Sequence, residues 1–285
     1  MIAITGANGN LGKATLSFLM KKTLPKNIVA IVRDASKLSE YAGSGIQIRT
    51  ADYEDQESLE KALAGVHRLL QISASATGVR AMAQETRVVH AAAKCGVKEI
   101  LYTSTLFPHE SAHFHAAHIC RNTEELIRQS GMRYVFFRNS MYHETIPLFI
   151  GEAMGDGRIF YPSGSGRVSF ASRKDIAEAL SNVLTGPAFG NATYDITGVE
   201  TFSFADIALT LRDVAGYNEA GHTDIPAEDY RKGLLGFGLG EEEAGFYASM
   251  ADSIRAGEFE KTHHSLESFL GRKPLGVQEY LRELF

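Results

Sequence analysis

The chain has 285 residues, of which 44% are hydrophobic and 22% charged, and this composition is that of a globular protein able to bury a sizeable core. The formal net charge of −5 argues against nucleic acid as an obligate partner, because phosphate backbones require a concentrated positive field. No apolar stretch approaches the length of a membrane span, and Met1 leads directly into a predicted strand rather than a signal peptide. Two cysteines, Cys95 and Cys120, are too few for a disulfide framework. We therefore expect a cytoplasmic protein with free thiols and no membrane partner.

The first half of the chain alternates short apolar runs with stretches of helical period, a pattern typical of a parallel sheet covered on both faces. Apolar residues fall on one face of each helical stretch, as Leu59, Ala62 and Leu63 do before Gly65 ends theirs. The apolar runs predict six strands, at Ile2–Thr5, Ile28–Val32, Ile46–Thr50, Leu69–Ile72, Glu99–Thr103 and Tyr134–Phe137.

After Phe137 the segment "GDGRIFYPSGSGRVSFAS" predicts loops with short strands. Two later helices open with a Ser-x-x-Asp capping box, Ser172–Asp175 and Ser203–Asp206, and a strand is predicted over 192–197. From Ala227 onward the pattern is helical.

These elements together predict an α/β protein with two regions. The first is a Rossmann-like, doubly wound parallel sheet over 1–138, completed by parts of 168–198. The second is a smaller, mostly helical substrate-binding or cap region over 139–167 and 199–285.

Three glycines, Gly6, Gly9 and Gly12, lie between the first strand and the first helix. Glycine permits a tight turn, lets backbone N–H groups approach a pyrophosphate and lets the helix pack on the strand. Because the turn opens a β-α repeat, it predicts dinucleotide binding rather than a plain connection. The predicted contacts in this turn are Gly6, Ala7, Asn8, Gly9, Asn10, Leu11 and Gly12.

The end of the second strand decides which dinucleotide is bound. An acidic residue there takes the ribose 2′-hydroxyl of NAD, whereas an arginine suits the 2′-phosphate of NADP. The sequence "AIVRDASK" places Arg33 at this point, and a guanidinium binds phosphate in a forked geometry, so we predict NADPH over NADH. The alternatives are that Arg33 pairs with Asp34 as a surface charge, or that Asp34 is the ribose ligand.

Residues after the third and fourth strands are further candidate cofactor contacts. Asp52 and Tyr53 could flank the adenine, and the small residues Ser73, Ala74 and Ser75 would let the backbone approach the ribose on the nicotinamide side. Each set is equally consistent with ordinary loop composition.

The segments "ITGANGNLG", "IVRDASK", "ADYEDQESLEKALAGV", "GVKEILYTS" and "FFRNSMY" resemble the NmrA-like branch of the short-chain dehydrogenase/reductase superfamily. Within it the chain is most similar to the bacterial NADPH-dependent quinone reductase and triphenylmethane reductase group, over essentially its whole length. The resemblance implies NADPH as cofactor and a quinone-like or dye-like small molecule as substrate. Asn8 and Asn10 stand where Thr and Gln are more usual in this branch, and both are compact and polar enough for a phosphate turn.

Ordinary members of the superfamily carry Tyr-x-x-x-Lys, often with a glutamate four residues later, and the tyrosine transfers the proton. Taking Glu124 as that glutamate places Ala116 and Cys120 at the tyrosine and lysine positions, and no Tyr-x-x-x-Lys occurs elsewhere. General acid assistance is worth about two to four decades in rate, so an enzyme without it should choose an acceptor that needs little. We predict direct hydride transfer to a conjugated electrophile, with His118, as a proton relay, and Tyr142 as the candidate catalytic residues.

Candidate substrate contacts follow the fifth and sixth strands, where open α/β sheets bind ligands. By resemblance Asn139 would contact cofactor or substrate, and Met141 and Tyr142 would form a flat apolar wall; the alternative is that they pack in the core. Ser104 and Thr105 could offer a hydroxyl to the substrate or serve a turn.

The segment "GLLGFGLGEEEAGFYASM" admits two interpretations. It could form a mobile lid hinged at Gly236, Gly238 and Gly240, with Phe237 against the substrate. It could also be a connection between helices that buries its aromatic residues, Phe237, Phe246 and Tyr247, in the core, which we favour.

Particular residues leave one alternative function open and disfavour others. A non-catalytic, dinucleotide-sensing regulator of the NmrA type, acting through a protein partner, also fits the missing dyad. A sugar-nucleotide epimerase or dehydratase would need the tyrosine that Ala116 replaces. The histidines at 109, 113, 115 and 118 match no standard zinc spacing, so no metal is predicted, and a homodimer is possible.

Overall fold

The computed structural model describes residues 1–151 and 153–285. Its strands are β1 Ile2–Ile4, β2 Ile28–Val32, β3 Gln47–Thr50, β4 Arg68–Ile72, β5 Glu99–Thr105, β6 Arg133–Asn139, β7 Arg158–Phe160, β8 Arg167–Val168, β9 Ala192–Ile196, β10 Phe202–Ser203 and β11 Gly221–Thr223. Its helices are α1 Asn10–Leu19, α2 Gln56–Leu63, α3 Gly78–Lys94, α4 His115–Gln129, α5 Ile146–Ile150, α6 Ala153–Asp156, α7 Arg173–Thr185, α8 Phe204–Ala215, α9 Ala227–Gly236, α10 Glu241–Arg255, α11 Ser265–Leu270 and α12 Val277–Leu284.

The main sheet has seven strands in the order β3-β2-β1-β4-β5-β6-β9. Parallel pairing places Ile4 opposite Ala30 on one side and Leu70 on the other. The order reverses between β1 and β4, which makes the carboxyl ends of these two strands the switch point where such sheets bind ligands. All six predicted strands and the later strand at 192–196 are present, so the Rossmann-like prediction is confirmed.

The chain divides into two compact units. The first unit comprises 1–105, 119–138 and 173–194, and the second comprises 106–118, 139–172 and 195–285. Residues 106–118, which the sequence analysis assigns to the dinucleotide-binding region, therefore lie in the second unit.

The first unit is built around central strands that are buried on both faces, such as β2 and β5. All five residues of β2 are buried, as expected for a parallel strand covered by helices on both sides. The sheet packs against the apolar faces of its helices, including Leu59, Ala62 and Leu63 of α2. This continuous burial explains why the strands read as apolar runs rather than as an alternating pattern.

The second unit has its own aromatic core. Phe149, Tyr161 and Phe204 contact one another with ring centroids 4.6–5.6 Å apart. The predicted capping box at the start of α8 is confirmed, since the Asp206 N–H donates to Ser203 Oγ at 3.1 Å and the Ser203 N–H donates to Asp206 Oδ2 at 2.9 Å. Short strands complete the unit, with β8 antiparallel to β10 and β7 parallel to β11.

The glycine-rich segment connects α9 to α10. Phe246 and Tyr247 lie within α10, where Phe246 packs against the aromatic core, as the helix-connection interpretation requires. Phe237 instead follows α9 and is 80% exposed. None of the helices in the described residues is both long enough and apolar enough to span a bilayer.

Candidate functional site

The glycine turn between β1 and α1 is tightly closed. Gly6 has φ +62°, a conformation that favours glycine, and the Gly9 N–H donates to the Gly6 carbonyl at 3.0 Å. A Cβ added to Gly12 would lie 2.3 Å from the Gly6 oxygen and 2.7 Å from Ala7 Cα. Glycine at position 12 is therefore required for the first turn of the helix to close on the strand.

The amino end of α1 is free to bind an anion. Its N-cap, Gly9, offers no side-chain acceptor to the first N–H groups, and the first turn contains no acidic residue. Asn8, Gly9 and Asn10 are exposed. Because unsatisfied N–H groups and the helix dipole favour negative charge, this end fits the pyrophosphate of a dinucleotide.

Arg33 follows β2 and is exposed. The Asp34 carboxylate accepts a hydrogen bond from the Ser36 N–H at 2.9 Å. Hydrogen bonding by the Ser36 side chain, and then by its N–H, holds the pKa of Asp34 below its usual value. Among the described residues Arg33 forms no ion pair, with Asp34 or with any other carboxylate. The guanidinium is therefore available to a 2′-phosphate.

Tyr53 lies beside the glycine turn. Its hydroxyl is buried and lies 3.8 Å from the point where a Cβ on Gly6 would stand. It lies near Thr5 but forms no hydrogen bond of good geometry with it, and burial raises its pKa to about 12. Asp52 is exposed, and its Oδ1 accepts the Glu54 N–H at 2.9 Å.

The N–H groups of the last residue of β4 and of the two residues after it donate to side chains. The Ile72 N–H donates to Thr5 Oγ1 at 3.2 Å and the Ser73 N–H donates to Thr103 Oγ1 at 2.9 Å. The Ala74 N–H donates to Glu85 Oε1 at 2.8 Å. The predicted contacts Ser73, Ala74 and Ser75 thus leave the sheet in a fixed direction.

Glu85 is buried within the first unit. Its Oε2 accepts hydrogen bonds from the Tyr102 hydroxyl and, at 2.7 Å, from Thr123 Oγ1. Burial raises the pKa of Glu85 above its usual range and raises that of Tyr102 well above 10. Cys120 Sγ lies 3.5 Å from the Tyr102 hydroxyl, and burial raises the thiol pKa to about 12.

Ser104 faces a buried carboxylate. Its hydroxyl donates to Glu124 Oε1 at 2.8 Å, and Arg138 binds both oxygens of the same carboxylate at 2.9 and 2.7 Å. Glu124 thereby ties the carboxyl end of β5 to that of β6. Thr105, the other predicted substrate hydroxyl, is buried at the end of β5.

In the second unit, Asn139 and Met141 are buried and Tyr142 is half-buried. Asn139 Nδ2 donates to the Tyr142 hydroxyl at 3.4 Å, while its Oδ1 is buried and has no hydrogen-bond partner among the residues that the structure describes. His118 Nε2 lies 2.9 Å from the Ala112 carbonyl oxygen, so that nitrogen carries a proton and donates it there. The same unit holds the exposed Phe237.

Two residues of interest escaped the sequence analysis. Glu85 is one, and its signal was a carboxylate on the apolar face of a helix, four residues after Ala81 and three before Val88. The other is Phe107, which follows β5 with φ +49° and is 41% exposed. Bulky residues with a strained backbone are frequent at functional sites. The residue types around Phe107 do not predict its positive φ.

Histidines 109 and 113 each lie within hydrogen-bond distance of another side chain. His113 Nδ1 lies 2.7 Å from Glu258 Oε1, and His109 Nδ1 lies 2.8 Å from Ser111 Oγ. Within 1–151 and 153–285, no three His, Cys, Asp or Glu side chains are grouped so as to hold a metal ion.

A closed glycine turn at the switch point of a parallel sheet, with an uncapped helix behind it, defines a Rossmann-type dinucleotide-binding protein. A family model described as NAD(P)H-binding matches residues 6–187, and the chain belongs to that family.

Several proteins that the chain is similar to are oxidoreductases. Quinone oxidoreductase 2 of Escherichia coli (strain K12) is 32% identical over 286 residues, covering 100% of this chain and 99% of that protein. The solved structure of the Citrobacter sp. triphenylmethane reductase complexed with NADP(H) matches with a TM-score of 0.91 at 33% identity, and each chain is covered at 100%. The NADPH complex of the E. coli quinone oxidoreductase QOR2 matches with a TM-score of 0.94 at 31% identity, again with both chains covered at 100%. The resemblance indicated by the sequence is confirmed.

Proposed function

We propose that this chain is an NADPH-dependent reductase that delivers hydride directly to a conjugated electrophile, such as a quinone or a cationic dye. The bound cofactor supplies the hydride, and the protein supplies orientation and a water-poor site. The identity of the relatives supports the substrate class, since the similar proteins include a quinone oxidoreductase and a triphenylmethane reductase.

The chain's own residues support the cofactor. The uncapped N–H groups at the start of α1 bind the pyrophosphate, and the exposed guanidinium of Arg33 binds the 2′-phosphate. Asn139 Oδ1 is a buried acceptor that lacks a donor, and an N–H of the ligand would satisfy it. Met141 and Tyr142, which follow Asn139 in the chain, provide the apolar wall for the substrate.

The observation that carries the proposal is the pair of residues at the dyad positions. Ala116 has no ionisable group, and Cys120 is a buried thiol whose pKa of about 12 keeps it protonated and neutral. It can therefore neither replace a lysine cation nor lower the pKa of a neighbouring phenol. His118, the predicted relay, already donates its Nε2 proton to the Ala112 carbonyl.

Without a general acid, the acceptor itself must tolerate hydride addition. A simple ketone would become a localised alkoxide, which needs a proton as it forms. A quinone becomes a delocalised aromatic oxyanion that water protonates afterwards, and a cationic dye carbon needs no proton. The chain is therefore suited to the second and third kinds of acceptor.

The test is to incubate the protein with NADPH and a panel of quinones, cationic dyes and simple ketones. Oxidation of NADPH is measured as the loss of reduced-nicotinamide absorbance. We expect turnover with quinones or dyes and none with ketones. Turnover of ketones alone would contradict the proposal. Tight NADPH binding with no oxidation by any acceptor would instead indicate the dinucleotide-sensing regulator.

A further inference from the structure

We infer that Glu85 is a positioning residue for the nicotinamide half of the cofactor, acting through the backbone of the Ser73–Ser75 segment that follows β4. The inference rests on the proposed function, because it assumes that this segment contacts the bound dinucleotide.

The backbone after β4 lacks its own support at this point. Ile72, Ser73 and Ala74 donate their N–H groups in turn to Thr5, Thr103 and Glu85. Thr103 lies on β5 and Thr5 directly follows β1, so these two acceptors hold the last residue of β4 and the first residue after it. Glu85 lies on α3 and holds Ala74, the second residue after β4. Its removal would therefore release the exit of the segment while leaving the end of β4 in place.

A carboxylate suits this position because every neighbour is a donor. Glu85 Oε1 accepts from the Ala74 N–H, while Oε2 accepts from the hydroxyls of Tyr102 on β5 and Thr123 on α4. The two oxygens thus fix one carboxylate between a loop, a strand and a helix. Because β5 and α4 both hold the carboxylate, it cannot follow the loop if the loop moves. Glu85 therefore fixes the position of the Ala74 N–H.

The segment after β3, which is predicted to flank the adenine, has local contacts of its own. Tyr53 lies beside Gly6, and the neighbouring Glu54 pairs with Arg80 at 2.6 Å. No bond from Glu85 reaches Arg33 or Asp52 among the hydrogen bonds of the described residues. Loss of the Glu85 carboxylate should therefore affect the two halves of the dinucleotide unequally.

The experiment compares binding of NADPH with binding of 2′,5′-ADP, which carries only the adenine half, to the wild type and to variants at position 85. In Glu85→Leu, which removes both acceptors, we expect the Kd for NADPH to rise about tenfold while the Kd for 2′,5′-ADP changes less than about twofold. Glu85→Gln keeps one carbonyl oxygen able to accept from Ala74, and we expect it to recover most of the NADPH affinity.

Thr123→Val is the matched control, because it removes a hydrogen bond from the same carboxylate without touching the Ala74 N–H. It should leave both dissociation constants within about twofold of the wild type. If Glu85→Leu fails to fold, Glu85→Asp carries the test, since its shorter side chain withdraws the carboxylate from Ala74 and should produce the same selective loss.

Equal weakening of both ligands, or unchanged NADPH binding in the Leu or Asp variant, would overturn the positioning role. Failure of the wild type to bind either ligand is a different result, and it would remove the proposed function itself.

Discussion

The glycine turn allows a quantitative prediction for Gly12→Ala. The new Cβ would lie 2.7 Å from Ala7 Cα, about 0.8 Å or more inside the optimal carbon–carbon separation of about 3.5–4.0 Å. It would also lie 2.3 Å from the Gly6 oxygen. Both atoms belong to the backbone, so no flexible side chain can move aside. Overpacking of this kind costs about 1–3 kcal/mol of folding stability.

The variant can relieve this strain only by opening the turn, and an open turn moves the N–H groups that would face the pyrophosphate. If bound NADPH requires the closed turn, binding must restore the strain, and the affinity for NADPH falls by about tenfold to a hundredfold. A ligand at about one hundred times its Kd adds about 2.7 kcal/mol to the stability of the wild type. We therefore expect Gly12→Ala to have a lower Tm and to lose about half or more of the rise in Tm that NADPH produces in the wild type.

Thermal unfolding with and without NADPH, together with a titration of cofactor fluorescence, measures both effects. Gly9→Ala is the matched control in the same turn, because its φ of −72° suits alanine and its Cβ would meet only the Gly6 oxygen, at 3.3 Å. It should cost less folding stability than Gly12→Ala, which separates the backbone clash from the mere addition of a methyl group to the turn. Wild-type Tm and Kd in Gly12→Ala would refute the assigned geometry of the turn.

Three further predictions concern single side chains. Arg33→Ala should raise the Kd for NADPH about tenfold or more and leave that for NADH nearly unchanged; tighter binding of NADH by the wild type would contradict the assignment of Arg33 to the 2′-phosphate. Burial raises the pKa of Glu85, so above pH 4.5 the unfolded chain loses this proton before the folded chain does, and the free energy of unfolding should fall as pH rises towards the folded value. Urea unfolding at several pH values should show a flatter profile for Glu85→Gln, and parallel profiles would exclude Glu85 as the source. Ser203→Ala removes the capping box of α8 and should lower the free energy of unfolding by about 1 kcal/mol, which an unchanged urea midpoint would disprove.

Local patterns were sufficient for the parts of the fold that local physics determines. β2 is an apolar run because both of its faces are buried, and its predicted bounds, Ile28–Val32, are those of the structure. The Ser203 capping box could be predicted because its two hydrogen bonds join residues three apart. The glycine turn was predictable for the same reason, since its close contacts lie within Gly6–Gly12.

The support of the site could not be predicted in this way. Glu85 meets Ala74, Tyr102 and Thr123, which lie 11, 17 and 38 residues away, and no periodicity records contacts at such separations. The hydrogen-bond partner of Ser104 could not be predicted either: the sequence indicated a hydroxyl facing the substrate or a role in a turn, whereas the hydroxyl donates to Glu124, 20 residues further on. Side-chain partners across the sheet emerge only once the strand order is known.

The position of Tyr102 links the missing acid to the fixed loop. A tyrosine is present beside Cys120, but its hydroxyl donates to Glu85 and its pKa is raised well above 10 by burial. A phenol that shares its proton with a buried carboxylate is a poor acid for a reacting oxygen, because transfer would leave the phenolate in the core, where charge is heavily penalised. Near Cys120, the residue at the lysine position of the dyad, the Tyr102 hydroxyl binds Glu85, and Glu85 in turn binds the backbone of Ala74. The expected consequence is a reductase that orients its cofactor firmly and leaves protonation of the product to water.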